Sequence, residues 1–125
     1  MSRISREKRT AISPFPLVVH TDRRVPPAAK VRAEQIVLRV ARVSRRPVLY
    51  GRVVLRVESD PAVERPAIAK ATLDVNGRVL HAHAAASRIY DAIDVLDERL
   101  RRALEELEDR LGAERLRREG RARGS

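Results

Sequence analysis

Cysteine is absent from the 125-residue sequence, and aromatic residues are nearly so. Without thiols the chain has no disulfides, no thiolate zinc site and no cysteine nucleophile. Its aromatic residues, Phe15, Tyr50 and Tyr90, are too few to build stacking platforms for single-stranded nucleic acid. No apolar run approaches the roughly 20 residues needed to span a bilayer, and the basic N-terminus does not resemble a secretory signal. We therefore expect a cytoplasmic protein that is not inserted in a membrane.

Lysine is also scarce, and arginine supplies most of a strong positive charge. Lys and Arg number 27 against 17 acidic residues, a formal net charge of +10, and only Lys8, Lys30 and Lys70 are lysine. Residues 23–56 hold ten basic side chains and one acid, whereas residues 91–109 hold eight acids and three arginines. Such a surface favours polyanions, and guanidinium groups pair with phosphate in bidentate geometry. The first half of the chain is therefore the expected polyanion-facing half.

Composition divides the chain into one domain and two tails. Residues 15–112 contain most of the large apolar side chains and are long enough for one compact domain. Residues 1–14 and 113–125 are highly charged, and each segment carries a net charge of +3. We therefore expect a flexible basic tail on each side of the folded domain.

Alternation of apolar and polar residues predicts four strands. Residues 16–20 form a short β-branched run typical of a strand. From Val48 the apolar residues recur with a period of two, and the alternation resumes at Ala69 and continues after Asn76-Gly77. That dipeptide is typical of a type I′ turn, because both central residues of this turn need positive φ. A single strand, a second strand and a hairpin are therefore predicted.

Apolar spacings of three and four predict two helices. The first begins at Pro26-Pro27 and ends near Ser44. Its predicted apolar face comprises Ala29, Ala33, Ile36, Val40 and Val43. The second begins after Ser87 and ends at Gly112. Its predicted apolar face comprises Ile93, Leu96, Leu100, Leu104, Leu107 and Leu111. The order β-α-β-β-β-α predicts an α+β fold, with a four-stranded mixed sheet and both helices packed on one face.

The second half of the domain resembles a known family. From Ala71 the sequence reads ATLDVNGRVLHAHA, and the last helix contains YDAIDVLDERLRRALEELEDRL. The ATL-x-VNG hairpin, the LHA strand, the Tyr-x-Ala-Ile-Asp helix start and the Leu/Arg spacing after it resemble the bacterial ribosome hibernation-promoting factor family, which includes ribosome-associated inhibitor A. The similarity covers residues 71–111, and the order of the elements extends it back to residue 16.

The resemblance implies a function by occupancy. Members of this family lodge in the mRNA/tRNA channel of the small ribosomal subunit and hold ribosomes translationally silent. On this basis we expect a stress-response protein that binds small-subunit rRNA and inhibits translation without cofactor, metal or small-molecule substrate. Arg99 and Arg102 stand where the family carries basic residues on the last helix. Long members add a C-terminal dimerisation domain to which nothing in this sequence corresponds, so the sequence is either a short form or an isolated N-terminal domain. We expect a monomer off the ribosome.

Independently of the resemblance, basic residues are segregated to one flank of each helix at about 100° per residue. The flank of the first helix collects Arg32, Gln35, Arg39, Arg42 and Arg46. The flank of the second collects Arg88, Arg99, Arg102 and Arg110. Two such flanks could line a groove matched to the phosphates of RNA. The candidate rRNA-binding residues are Lys30, Arg32, Arg39, Arg42, Arg45, Arg46, Arg88, Arg99, Arg102 and Arg110.

Other interpretations account for some of the same residues. Solvated arginines whose aliphatic stems cover neighbouring side chains would produce a similar pattern. Arg45 and Arg46 stand at the end of the first helix, where positive charge interacts favourably with the negative end of the helix dipole. A generic double-stranded-RNA module likewise sets helices against an antiparallel sheet. Val31 and Leu38 lie opposite the apolar face of the first helix, and their exposure would favour a regulatory protein-interaction surface.

The sequence offers no recognisable catalytic or metal-binding set. It lacks a Gly-rich phosphate loop and a nucleophile with a suitably spaced base, so we expect no enzymatic activity. His81 and His83 are two residues apart on a predicted strand and share a face. Zinc sites need about three or four ligands, and the sequence indicates no third one. We therefore expect these histidines to face solvent without a metal.

Overall fold

Six elements make up the part of the chain that the computed structural model describes, which is residues 13–124, with side chains to residue 121. They follow in the order β1 (Leu17–Thr21), α1 (Pro27–Val43), β2 (Val48–Val57), β3 (Ala67–Val75), β4 (Arg78–Ala86) and α2 (Ile89–Gly124). The strands form one sheet in the order β1-β2-β3-β4, with β1 parallel to β2 and the other neighbours antiparallel. The helix α1 packs on β1 and β2, α2 packs mainly on β3 and β4, and the helices contact each other. The predicted α+β fold is confirmed.

Strand alternation places one face of the sheet beneath the helices. Its buried side chains include Val53, Leu55, Ala67, Ala69, Ala71, Leu73, Val75, Leu80 and Ala84. Alanine predominates where β3 and β4 lie under α2, so the large side chains of the helix fill the space that these small residues leave. Because successive strand residues point to opposite faces, the intervening residues form an open face on the other side of the sheet.

Each helix buries one apolar stripe against the sheet. All six residues predicted for the apolar face of α2 are buried. On α1 the prediction is confirmed from Ala29 to Val40 but is wrong for Val43, which is 64% exposed. Val43 is the last helical residue and lies past the end of the core, whereas Val37, adjacent to Ile36 on the same stripe, is fully buried. The helix stops at Ser44, whose extended backbone ends the α conformation.

A two-residue turn connects β3 to β4. Asn76 and Gly77 both have positive φ, 53° and 92°, as the type I′ turn requires. The carboxylate Oδ1 of Asp74 accepts a hydrogen bond from the Gly77 N–H at 2.7 Å. The predicted hairpin is confirmed, and its register pairs Val75 with Arg78 and continues to Ala67 and Ala86.

The helix α2 continues past Gly112, where the sequence predicts its end. The last buried side chain is Leu111, yet the helical backbone extends to Gly124. One glycine costs a helix only about 1 kcal/mol relative to alanine, and the Arg115–Glu119 ion pair at 3.1 Å supports the following turn. The helix end predicted at Gly112 is therefore wrong, while the flexibility expected of residues 113–125 stays a prediction. Although α2 has 36 residues, no helix in the described part of the chain is both long and apolar enough to cross a bilayer.

Candidate nucleic-acid interface

The exposed side of α1 carries the arginine row, defined here as Arg32, Arg39 and Arg42. On the helix, these residues lie to one side of the buried stripe of Ala33, Ile36 and Val40. Because that stripe packs against the core, the arginine row faces outward. All three arginines are exposed. Within residues 13–121 neither Arg39 nor Arg42 forms an ion pair. Their guanidinium groups are therefore available to an external anion.

One end of the arginine row contacts α2. Arg32 Nη2 forms an ion pair with Asp94 Oδ1, and the two side chains are 49% and 53% exposed. Near the other end of α1, the backbone N–H of Arg45 donates to Glu108 Oε2 at 2.8 Å. Asp94 and Glu108 belong to the acidic flank of α2, which comprises Asp91, Asp94, Glu98, Glu105 and Glu108, so this flank faces α1. Half-exposed pairs of this kind add little stability, but they show which side of each helix faces the other.

The basic flank of α2 lies on the opposite side of that helix. Arg99 Nη1 donates a hydrogen bond to the backbone oxygen of His83 on β4 at 2.8 Å, which places the flank above the β4 edge of the sheet. Arg102 forms an ion pair with Glu98 at 3.5 Å, and Arg88 and Arg110 are exposed. The acidic flank of α2 therefore lies between the two basic flanks. The groove that the sequence predicts between them is not formed, and each flank faces its own side of the molecule.

The remaining candidates do not join the arginine row. Lys30 is exposed in the first turn of α1, about 200° around the axis from Arg32. Arg45 and Arg46 follow the end of the helix, where Arg45 is exposed and Arg46 is partly buried. The N–H of Arg46 donates to Ser44 Oγ at 3.3 Å. These three residues surround the ends of α1 rather than extend its exposed side.

Leu38 and Val31 differ in their surroundings. Val31 is 48% exposed, in agreement with its predicted position opposite the core. Leu38, predicted to be exposed with it, is partly buried and packs against the core. It borders a cavity of about 490 Å³ lined by Pro14, Phe15, Leu38, Ala41, Arg42, Pro47 and Val48. The segments before β1 and after α1 extend the apolar surface around Leu38, which helical spacing alone does not predict.

The open face of the sheet carries a second group of basic residues to which the sequence analysis assigned no role. Arg52 and Arg56 on β2 and Lys70 on β3 are exposed there. All three histidines of the chain, His20, His81 and His83, are exposed on the same face. Strand alternation predicts a shared face for residues of one strand. It does not predict that β1 adds His20 to the β2 edge of the sheet, because that depends on strand order and register.

His81 and His83, which the sequence predicts to bind no metal, lie on this face. Thr72 Oγ1 lies 3.2 Å from His81 Nδ1, so this imidazole has a hydroxyl partner on the adjacent strand. In the described part of the chain, no group of three or more histidine, aspartate or glutamate side chains is arranged to hold a metal ion.

Asp22 connects the end of β1 to the end of β2. Its Oδ2 accepts a hydrogen bond from the Val57 N–H at 2.9 Å, and its Oδ1 accepts one from the Arg24 N–H at 2.9 Å. The Val57 N–H is the main cause that holds the pKa of Asp22 below its usual range. Burial acts in the opposite direction, and the N–H and charge of Arg24 lower the pKa further. This carboxylate stabilises the loop that leads into α1.

Comparison with known proteins assigns most of the chain to a family. The family model described as sigma 54 modulation protein / S30EA ribosomal protein matches residues 20–112. The chain belongs to this family. The matched region runs from the end of β1 to the last turn of α2 that contacts the core. Membership in the S30EA family associates the chain with the ribosome and confirms the resemblance seen in the hairpin and the last helix.

Solved structures share the fold of this S30EA family member. A ribosomal subunit interface protein from Coxiella burnetii superposes with a TM-score of 0.62 at 15% identity, covering 75% of this chain and 98% of the other. The N-terminal domain of Thermus thermophilus Protein Y gives a TM-score of 0.56 at 20% identity, covering 74% and 94%. No curated protein sequence matches this chain significantly. The ribosomal association therefore comes from the family, and the architecture is shared at low sequence identity.

Proposed function

We propose that this protein binds the small ribosomal subunit in the mRNA/tRNA channel and inhibits translation by occupying it. The observation that carries the proposal is the match to the S30EA family over residues 20–112, which includes both the arginine row and the basic flank of α2. The proposed mechanism needs no chemical step, because a folded body held on rRNA excludes mRNA and tRNA by its volume. The protein then acts in the cytoplasm as a monomer, without cofactor, metal or enzymatic activity.

The two basic flanks suit a binding site with more than one wall. Arg39 and Arg42 project from α1, whereas Arg110 projects from the far side of α2 and Arg88 stands exposed immediately before that helix, outside the flank that the sequence predicts for it. Guanidinium groups on separate sides can each pair with phosphates of a different rRNA segment. This arrangement favours a surface cleft of a large RNA over a single duplex lying in one groove. It replaces the single groove predicted from the sequence and retains the same arginines.

A sedimentation experiment separates this proposal from a generic RNA-binding module. The purified protein is mixed with small subunits, with large subunits and with a plain RNA duplex at the same phosphate concentration. We expect co-sedimentation with small subunits at a salt concentration that releases the protein from the other two. Equal binding to all three would show a double-stranded-RNA module instead.

The arginine row can be tested by charge reversal at Arg39 and Arg42. The double variant Arg39→Glu, Arg42→Glu should bind small subunits much more weakly. Each lost phosphate contact should also reduce the slope of log affinity against log salt by roughly 0.7–0.9. The fold should persist, because both side chains are exposed and flank the buried stripe of α1.

A charge-matched control uses two exposed loop arginines. Arg23 and Arg65 lie in loops outside both helices and make no ion pair among residues 13–121. The variant Arg23→Glu, Arg65→Glu changes the net charge by the same amount as the reversal on α1. If Arg39 and Arg42 contact particular phosphates, the α1 variant should lose much more small-subunit affinity than the loop control. Equal losses in two folded proteins would mean that total charge drives binding.

A further inference from the structure

The open face of the sheet is a cationic surface built by all four strands. The pairing register aligns His20, Val54, Lys70 and His83 in one row across the sheet. The next row aligns Val18, Arg52, Thr72 and His81. Strands lie about 4.8 Å apart and same-face rows about 6.7 Å apart along the strands, so charged groups within and between rows are within reach of successive phosphates of one RNA strand. Lys70, Thr72, His81 and His83 also border a shallow depression of about 410 Å³.

Few acidic side chains balance this face. Arg52, Arg56 and Lys70 form no ion pair within residues 13–121. On the strands, the carboxylate that lies among them is that of Asp74, whose Oδ1 already accepts the Gly77 N–H. Asp22, Arg24 and Glu58 lie at one end of the face beside Arg56. With these groups included, the face has a net charge of +1 with neutral histidines and +4 with all three protonated. Lys70 lies directly opposite His83, and like charges at such a pair destabilise a sheet, so an anionic partner would stabilise this face when the imidazole is protonated.

We propose that this open face, through Arg52, Lys70 and the three histidines, is a second binding surface for the phosphate backbone of RNA. The surface lies on the opposite side of the sheet from the arginine row, so the domain contacts RNA from both sides of its sheet–helix sandwich. The inference rests on the proposed function, because a protein lodged in an rRNA channel has walls on both sides. RNA is favoured over a lipid surface, since the large apolar side chains here are isolated between charged ones and form no continuous patch.

Neutral substitutions on the sheet test the surface. The sheet variant Arg52→Gln, Lys70→Gln removes two positive charges from exposed positions and leaves the helix-facing residues unchanged. Its matched control is Arg23→Gln, Arg65→Gln, which removes two charges from exposed loop positions. Binding to small subunits is measured for the wild type and both variants over a range of salt, with circular dichroism and thermal unfolding to verify the fold.

The sheet variant should bind small subunits about tenfold more weakly or worse, and its log–log salt slope should fall by roughly 0.7–0.9 per lost contact. The control should lose little. If the wild type binds and the sheet variant matches the control, the second surface is wrong while the proposed function stands. If the wild type itself does not bind small subunits, the proposed function fails. If the wild type is retained on vesicles of anionic phospholipid and the sheet variant is not, while small-subunit binding of the variant is intact, the face binds a lipid and the proposal is overturned.

Histidine protonation gives an independent measurement on the same face. Histidine gains positive charge as the pH falls from about 8 to about 6. The charged groups around these imidazoles are Arg52, Arg56, Lys70 and Asp74 on the strands, with Asp22, Arg24 and Glu58 at one end of the sheet. Small-subunit affinity of the wild type should therefore rise over this interval. The variant His20→Gln, His81→Gln, His83→Gln should show a smaller rise, and an equal rise would exclude the histidines from the surface.

Discussion

Gly51 lies on the helix-facing side of β2 at a point where three large side chains converge. A Cβ at this position would lie 3.0 Å from Leu17 Cδ1, 3.0 Å from Leu73 Cδ2 and 3.1 Å from Phe15 Cε2. The backbone is therefore approached from three directions. Phe15 is 94% buried by this packing, and it closes the end of the core next to β1. The absence of a side chain is required here by space and not by backbone conformation.

Replacing Gly51 by alanine should destabilise the protein. Overpacking of a core costs about 1–3 kcal/mol, and three neighbours must move at once. Gly112→Ala is the matched substitution, because a Cβ there meets nothing within 4 Å and alanine is favoured in a helix by up to about 1 kcal/mol. Urea unfolding should show a loss for the first variant and no loss for the second. Unchanged stability of Gly51→Ala would show that Leu17 and Phe15 are free to move.

Asp22 links a single side chain to the pH dependence of folding. Its pKa is lower in the folded state than the ordinary 3.8, so its contribution is complete above that value and is lost as the pH falls through the folded pKa. Asp22→Asn keeps one acceptor oxygen for the two backbone N–H groups of Val57 and Arg24, and should cost about 1–2 kcal/mol at neutral pH. Urea unfolding at about pH 7 and about pH 2 should show the difference shrinking in acid. A difference that is the same at both pH values would contradict this role.

At the scale of elements, residue spacing predicts the features that depend on neighbouring residues alone, such as a helix face or a tight turn. The six apolar positions from Ile93 to Leu111 and the positive φ of Asn76 and Gly77 follow from spacing and turn chemistry, and all are confirmed. The end of α2 is not predictable from Gly112, because glycine ends a helix only where the backbone leaves the α conformation there, and here the helix continues to Gly124. Leu38 is misjudged for a related reason, since it packs against the core and borders a cavity that is also lined by Phe15 and Pro47, which lie outside α1.

The helical extension beyond Leu111 should affect affinity more than stability. Deleting residues 113–125 removes no buried side chain among those described, and the one ion pair it breaks with the body, Arg78–Glu114 at 3.6 Å, is exposed. The free energy of unfolding should change by less than about 0.5 kcal/mol. The salt dependence of small-subunit binding should flatten, because a segment of net charge +3 is lost. Inhibition of translation at saturating protein should persist, and its loss would make the extension part of the blocking body.

At the scale of the whole molecule, the distribution of charge depends on how the elements are rotated against one another. Helical spacing correctly separates the basic and acidic flanks of α2. Which flank faces α1 depends on how the two helices pack on the sheet, and the Arg32–Asp94 pair shows that it is the acidic one. The register of β1 against β2 decides that His20 joins the other histidines. Neither choice is visible in one strand or one helix. Basic residues consequently emerge on several sides of a small body, which a sum of charges along the sequence does not reveal.

This charge distribution also bears on self-association. The net charge of +10 makes two copies repel each other, and the exposed large apolar side chains are spread over both helices, three strands and one loop. A stable interface buries about 1,200–2,000 Å², which side chains spread in this way supply poorly. The 125-residue chain should therefore sediment as one species of 14.1 kDa. To exclude association hidden by repulsion, the measurement is repeated at about 0.05 M and about 0.5 M salt, where screening differs strongly.

The same chain mixed with ribosomes should produce no ribosome pairs in sucrose gradients. A dimer at high salt would reveal an interface masked by charge, and a peak of paired ribosomes with this chain alone would show that one domain joins two ribosomes.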